Sequence, residues 1–237
     1  TGLIRLDLSY NQIGDDGATA IANKLPKTLT DLTNLILSNT QISDDNVKAI
    51  SKNLPDTLEY LNLSNNKIGD AGAEAIANKL TNLLSLDLSN TQISDKGATA
   101  IAGNLPNITD LTYLDLKDNQ IGDAGATEIA GKLPNTLTTL DLSSNKIDDD
   151  GATAIAKNLP KTLENLNLSG NQIGDDGATE IAGNLPNLIG LTKLYLSGNQ
   201  IGYKGATAIA NKLPNLTGLI RLNLPSNQID DDGATAI

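Results

Sequence analysis

One pattern of hydrophobic and polar positions repeats along the whole chain. It is Leu-x-x-Leu-x-Leu-x-x-Asn-x-Ile, with Thr in place of Asn in the second and fourth copies. The copies begin at Leu3, Leu32, Leu58, Leu83, Leu111, Leu137, Leu163, Leu191 and Leu219. A unit of this size cannot bury its apolar side alone, so the pattern predicts a stack of units that share one core.

Each unit predicts a short strand, a turn and a helix. In the first unit Leu6 and Leu8 alternate with polar residues, which is the period of a strand with one buried face. The residues Ala18, Ile21, Ala22 and Leu25 then recur at helical spacing. An Asp between Gly14 and Gly17 is available as the N-cap of this helix, and Pro26 is predicted to end it.

These residues resemble the ribonuclease-inhibitor-like class of leucine-rich repeats over essentially the full chain. The third unit carries the resemblance well, with Leu58, Leu61, Leu63, Asn66 and Ile68, followed by a Gly-Ala-Glu-Ala-Ile-Ala helix segment. The resemblance implies an α/β solenoid, a horseshoe with a parallel sheet on its concave face and helices on its convex face. The chain lacks Cys and Trp, in which the ribonuclease inhibitor looks rich, so inhibition of ribonucleases is not implied. The recurring Gly-Ala-Thr-Ala-Ile-Ala segment is similar to repeat proteins of bacteria and protists, including exported effectors.

We expect a single domain over residues 1–237 with about nine repeats, since no linker or shift in composition divides the chain. Neither end carries an atypical polar unit, and Ile237 falls inside the ninth helical segment. The sequence therefore predicts a fragment without caps that associates end to end with other copies.

The formal net charge of −11 argues against a nucleic-acid backbone or an anionic membrane as the main partner. There is no signal peptide or long apolar run in the sequence, so the compartment stays open between cytoplasmic and exported. With no His and no Cys, we expect no enzyme. A GTPase-activating module is the weakest alternative, because only Arg5 and Arg221 could supply its arginine.

Carboxylates in the loops before the helices raise the question of calcium. They are Asp15, Asp16, Asp44, Asp45, Asp70, Asp95, Asp123, Asp148 to Asp150, Asp175, Asp176 and Asp230 to Asp232. None follows a calcium-loop pattern ending in Glu, and capping of successive helices explains one Asp per unit. We expect no metal and no cofactor, and the recurring Asn and Ser positions are interpreted as structural.

The outward positions of the strands vary from unit to unit, and the fold does not dictate them. They include the tyrosines Tyr60, Tyr113 and Tyr195, the consecutive carboxylates Asp87, Asp115 and Asp141, and Lys193. Tyrosines on a rigid surface are typical binding anchors, although strand propensity alone also favours them there. The carboxylates form an acidic groove or a solvated surface, with Lys117 placed to reduce their repulsion.

The sequence thus predicts a scaffold whose concave face binds a protein or peptide partner with a basic surface. We expect this scaffold to be part of an exported effector or surface protein. The alternative is a structural repeat array with no dedicated ligand.

Overall fold

The computed structural model describes residues 2–237, with the side chains of residues 15 and 26–28 left out. Within them, nine short parallel strands form one sheet in which every strand pairs with its sequence neighbours. The strands are β1 (Arg5–Asp7), β2 (Asn34–Ile36), β3 (Tyr60–Asn62), β4 (Ser85–Asp87), β5 (Tyr113–Asp115), β6 (Thr139–Asp141), β7 (Asn165–Asn167), β8 (Lys193–Tyr195) and β9 (Arg221–Asn223). The sequence prediction of one continuous solenoid is confirmed.

The helices cover the other side of the sheet, and each packs against the next one along the chain. They are α1 (Gly14–Thr28), α2 (Asp44–Ser51), α3 (Gly69–Ala77), α4 (Asp95–Asn104), α5 (Asp123–Ala130), α6 (Asp149–Asn158), α7 (Asp175–Asn184), α8 (Tyr203–Ala210) and α9 (Asp231–Ala236). The prediction that Pro26 ends α1 is wrong, because the helical backbone continues to Thr28. The helix runs two residues past Pro26, and Leu29 then leaves the helical conformation.

The strand register aligns the same position of every unit. The middle leucine of each strand pairs with the middle leucine of the next, for example Leu61 with Leu86 and Leu86 with Leu114. These leucines point into the core, so the residues on either side of them point outward and form two rows across the concave face. The predicted period of two is therefore confirmed.

Among the residues whose side chains are described, the core consists of Leu, Ile, Ala and a single Val, without aromatic side chains. The middle strand leucines of the inner units, such as Leu86 and Leu114, are fully buried, whereas Leu6 and Leu222 at the same position of the outermost units are only half-buried. End-to-end association stays a prediction. In the described part of the chain no helix is both long and apolar enough to cross a bilayer.

Asparagines tie each unit to the one before it. The Asn66 Nδ2 atom donates to the Leu63 carbonyl of its own unit at 2.9 Å and to the Leu37 carbonyl of the preceding unit at 2.7 Å. Its Oδ1 atom accepts from the backbone N–H groups of Thr40 and Ile42. Thr40 instead donates to the Leu37 carbonyl within its own unit. The structural interpretation of this row is confirmed.

Aspartates form a second ladder on the side of the helix N-termini. In six units the Asp at the first or second helical position caps the following unit's helix rather than its own. Asp149 in α6, for example, accepts from the N–H groups of Gly174 and Gly177 at 2.7 and 2.9 Å. The equivalent carboxylates are Asp44, Asp70, Asp95, Asp123 and Asp175. The expectation that such an Asp caps its own helix holds only in part. Asp148 and Asp230 do cap their own helices. The side chain of Asp15 lies outside the described residues.

Capping between units predicts how Asp123 responds to substitution. Asp123→Ala should lower the free energy of unfolding by about 0.5–2 kcal/mol, because the Asp148 and Gly151 N–H groups lose their acceptor. Asp150→Ala is the control, since this exposed side chain should contribute under about 0.5 kcal/mol through the helix dipole. Urea unfolding measures both, and calcium should leave the melting temperature unchanged. A calcium-dependent rise of tens of degrees would contradict the capping account.

Candidate functional site

The first outward row of the concave face presents two of its tyrosines close together. Tyr60 on β3 and Tyr113 on β5 lie on either side of Ser85 on β4. Both rings are exposed to more than a third of their surface. They line a groove of about 260 Å³ together with Arg5, Asn34, Ile36, Leu61, Asn62, Ser85 and Asp87.

The second outward row brings three carboxylates together on β4, β5 and β6. The register pairs Asp87 with Asp115 and Asp115 with Asp141. Asp87 accepts from the backbone N–H and the hydroxyl of Ser89, and the amide of Asn62 donates to its second oxygen at 2.8 Å. Asp141 has the mirror arrangement with Ser143 and Asn167. The two outer carboxylates are thus matched in their bonding.

The central carboxylate, Asp115, differs because it is buried, with only 2% of its surface exposed. The Tyr113 hydroxyl donates to its Oδ2 atom at 3.1 Å, and Lys117 contributes a backbone N–H and an ammonium group 3.8 Å away. Burial is the main cause that raises the pKa of Asp115 to about 6, and the charges of Asp141 and Asp87 add to it. Burial and the Asp115 charge likewise raise the pKa of Tyr113.

The burial of Asp115 corrects the sequence interpretation of a solvated row of carboxylates. Tyr113 lies along its own strand and covers Asp115, so the acidic surface that solvent reaches consists mainly of Asp87 and Asp141. Lys117 does pair with Asp115, as the sequence predicted.

The remaining predicted residues lie toward the other end of the sheet. Tyr195 and Lys193 are on β8, and Lys193 pairs in register with Arg221 on β9. They are separated from β5 by β6 and β7 and do not line the groove. The two arginines lie on the outermost strands, and Arg5 forms an exposed ion pair with Asp7 at 3.1 Å. The concave face therefore has an acidic, tyrosine-lined part and a separate basic part.

The serine row has a role that sequence reasoning missed. Ser64, Ser89 and Ser143 donate their hydroxyl and backbone N–H groups to the side chains of Asn62, Asp87 and Asp141. These bonds hold the second outward row in a fixed orientation. The two-residue spacing between Asp or Asn and Ser in each unit is the signal that could have indicated it.

The loop carboxylates do not form a metal site within the described residues, where no group of three or more His, Cys, Asp or Glu could hold an ion. The oxygens of the six ladder aspartates accept from backbone N–H groups instead. Burial raises the pKa of Asp123 and the neighbouring Asp148 carboxyl adds to this effect. At Asp70 burial also acts to raise the pKa, but hydrogen bonds from Ser94 outweigh it and lower the pKa.

Comparisons with known proteins agree with this architecture. A family model described as "Leucine Rich repeat" matches residues 3–22, 107–130, 134–156, 160–182, 191–210 and 216–237. A second model, "Leucine Rich repeats (2 copies)", matches residues 56–98. No curated protein matches the chain.

The solved structures that resemble this chain include an internalin and a plant receptor. An internalin (inlF) from Listeria monocytogenes is 27% identical with a TM-score of 0.55, over 91% of this chain and 67% of the internalin chain. The plant peptide hormone receptor RGFR1, solved in complex with RGF2, is 22% identical with a TM-score of 0.50. That match covers 96% of this chain but 40% of the receptor chain, so the chain spans well under half of the receptor's length.

Proposed function

The chain belongs to the leucine-rich-repeat family, and from this premise we propose that its concave face binds a protein or peptide partner. The receptor RGFR1, which shares the fold, was solved with RGF2 bound, and this supports a binding role over an enzymatic one. The finer assignment to the ribonuclease-inhibitor-like class, and membership of an exported effector or surface protein, are part of the same proposal.

The observation that carries the proposal is the contrast between constant and variable positions within one chain. The buried leucines repeat in nearly every unit because the shared core requires them. The first outward row instead reads Arg5, Asn34, Tyr60, Ser85, Tyr113, Thr139, Asn165, Lys193 and Arg221. A structural array without a ligand has no need for such differences, whereas a binding surface does.

The proposed partner has a basic surface. Asp87 and Asp141 are accessible on the concave face, and the chain as a whole carries a net charge of −11. Complementary charge increases the association rate, and packed tyrosines slow dissociation. The candidate contact residues are Tyr60, Asp87, Tyr113, Asp115, Asp141, Lys193 and Tyr195, with Asp115 acting from beneath Tyr113.

The chain contains its own controls for a test, because Tyr60 and Tyr195 lie on the concave face, while Tyr10 lies in the loop after β1 and Tyr203 is the first residue of α8. Peptides would be selected from a random phage-displayed library on the immobilised protein and titrated against single variants. Tyr60→Ala or Tyr195→Ala should weaken selected peptides about tenfold or more, because each removes a packed aromatic anchor. Tyr10→Ala and Tyr203→Ala should change affinity less than about twofold.

If Tyr10→Ala or Tyr203→Ala weakened binding and the two concave variants did not, the binding surface would lie at the edge of the sheet beside the loops. Failure to enrich any peptide would favour the structural array.

A further inference from the structure

Two tyrosines on the concave face enclose a gap that is one strand wide. Tyr60, Ser85 and Tyr113 occupy the same position on three consecutive strands, so the small Ser85 lies between the two tyrosine positions and all three line the groove. Strands in a sheet are about 4.8 Å apart, so the attachment points of the rings are roughly 10 Å apart. We call Tyr60, Ser85, Tyr113 and Asp87 the tyrosine slot.

The carboxylate of the slot comes from the same strand as its serine. Asp87 lies two residues after Ser85 and therefore points to the same face. Its carboxylate already accepts the backbone N–H and the hydroxyl of Ser89 and the amide of Asn62. A carboxylate offers about four acceptor positions, so one remains for a donor that enters the slot.

The charges around the slot favour a cation. Besides Asp87, the buried Asp115 lies behind Tyr113, and the Lys117 ammonium 3.8 Å away offsets part of its charge. Of the described residues lining the groove, Arg5 is the one cation, and it lies three strands from Ser85 and pairs with Asp7. The basic pair Lys193 and Arg221 is four or more strands away.

We propose that the tyrosine slot binds the side chain of an arginine presented by an extended segment of the partner. This inference rests on the proposed function and specifies the chemistry that the concave face recognises. A cation centred above Ser85 lies roughly 5 Å to the side of each tyrosine-bearing strand, so a ring that leans toward it comes within the distance at which aromatic faces attract cations. The planar guanidinium can stack on an aromatic face and at the same time direct an N–H group to Asp87.

The test uses a capped peptide, Ac-Gly-Ser-Gly-Arg-Gly-Ser-Gly-NH2, titrated into the isotopically labelled protein and followed by NMR chemical shifts. Two matched peptides replace the arginine with lysine or with citrulline, which keeps the planar shape but has no charge. The arginine peptide should bind about tenfold more tightly than the citrulline peptide and several-fold more tightly than the lysine peptide. The largest shifts should fall on residues 60–62, 85–89 and 113–117.

Paired variants separate the slot from the general charge of the face. Asp87→Asn and Asp141→Asn remove carboxylates with the same bonding, but only Asp87 lies between the two tyrosines. Asn already occupies this row at Asn62 and Asn167, so both variants suit the fold. Asp87→Asn should weaken the arginine peptide about tenfold, and Asp141→Asn less than about threefold.

A second pair of variants adds a tyrosine ring on one side or the other of Tyr113. Ser85→Tyr occupies the slot and should abolish binding of the arginine peptide. Thr139→Tyr adds the same ring on β6, outside the slot, and should leave affinity within about twofold.

The inference is wrong if the citrulline peptide binds as well as the arginine peptide, if Asp141→Asn weakens binding as much as Asp87→Asn, or if no shifts appear. In each of these cases the proposed function survives if phage-selected peptides still depend on the concave tyrosines.

Discussion

Replacing Gly177 with Ala should lower the free energy of unfolding by about 2–3 kcal/mol. Gly177 lies in the first turn of α7, where its N–H donates to the Asp149 carboxylate of the preceding unit. A Cβ atom at this position would lie 2.7 Å from Asp149 Oδ1 and 3.0 Å from both the Ala152 methyl and the Asp149 Cα. The added methyl must displace the carboxylate, so the Gly174 and Gly177 N–H groups both lose their acceptor.

The same substitution at Gly183 is the control, since it lies in the same helix with no atom near the added methyl. Gly183→Ala should raise the free energy of unfolding by about 0.5–1 kcal/mol, because Ala loses less backbone entropy in a helix. Urea unfolding followed by circular dichroism measures both variants. Equal effects of the two would show that the Asp149 ladder contact is unimportant.

Asp115→Asn should stabilise the protein by about 2–3 kcal/mol near pH 7.5 and by almost nothing below pH 4. The folded-state pKa of Asp115 is raised from 3.8 to about 6, so the folded protein holds this proton more tightly than the unfolded chain does. The stabilisation that the tighter proton binding by folded Asp115 provides is fully present below pH 3.8 and is lost as the pH rises through 6. Above pH 6 the buried carboxylate is a net cost, which the neutral amide removes.

The structure also indicates a gain in hydrogen bonding for Asp115→Asn. Asn62 and Asn167, in the same row, each donate to a neighbouring Asp carboxylate, and an amide at position 115 could do the same toward Asp87 or Asp141. Asp141→Asn is the control and should change stability by less than about 1 kcal/mol, because Asp141 is only half-buried. Unfolding curves of the parent and Asp115→Asn that stay parallel from pH 4 to pH 8 would contradict this account.

The sequence predicted the architecture because one leucine pattern defines both the strand register and the core. The middle leucines of the strands, from Leu6 to Leu222, pair with one another as the pattern predicted, because a slip of one residue would turn every leucine outward. The row of asparagines was also interpretable, because a polar side chain at a fixed buried turn must satisfy backbone groups.

Features that depend on neighbouring units could not be predicted in the same way. Asp149 lies at the start of one helix and caps the next, and its sequence position is equally consistent with capping its own helix. Tyr113 and Asp115 both point outward by their alternation, yet the length of the tyrosine allows it to cover the carboxylate. Alternation along a strand predicts a face, but not which side chain shields another.

The aspartate ladder gives the solenoid a direction. A unit that opens takes away the acceptor of the helix that follows it but leaves the helices before it fully capped. Loss of helix caps should therefore pass toward the C-terminus, whereas the asparagine row couples each opened unit to the one before it. The eighth unit interrupts this dependence, because Tyr203 stands where the other units have Asp and α9 is capped by its own Asp230. Tyr203 thus marks the junction at which a helix no longer takes its cap from the preceding unit, although the strands still pair.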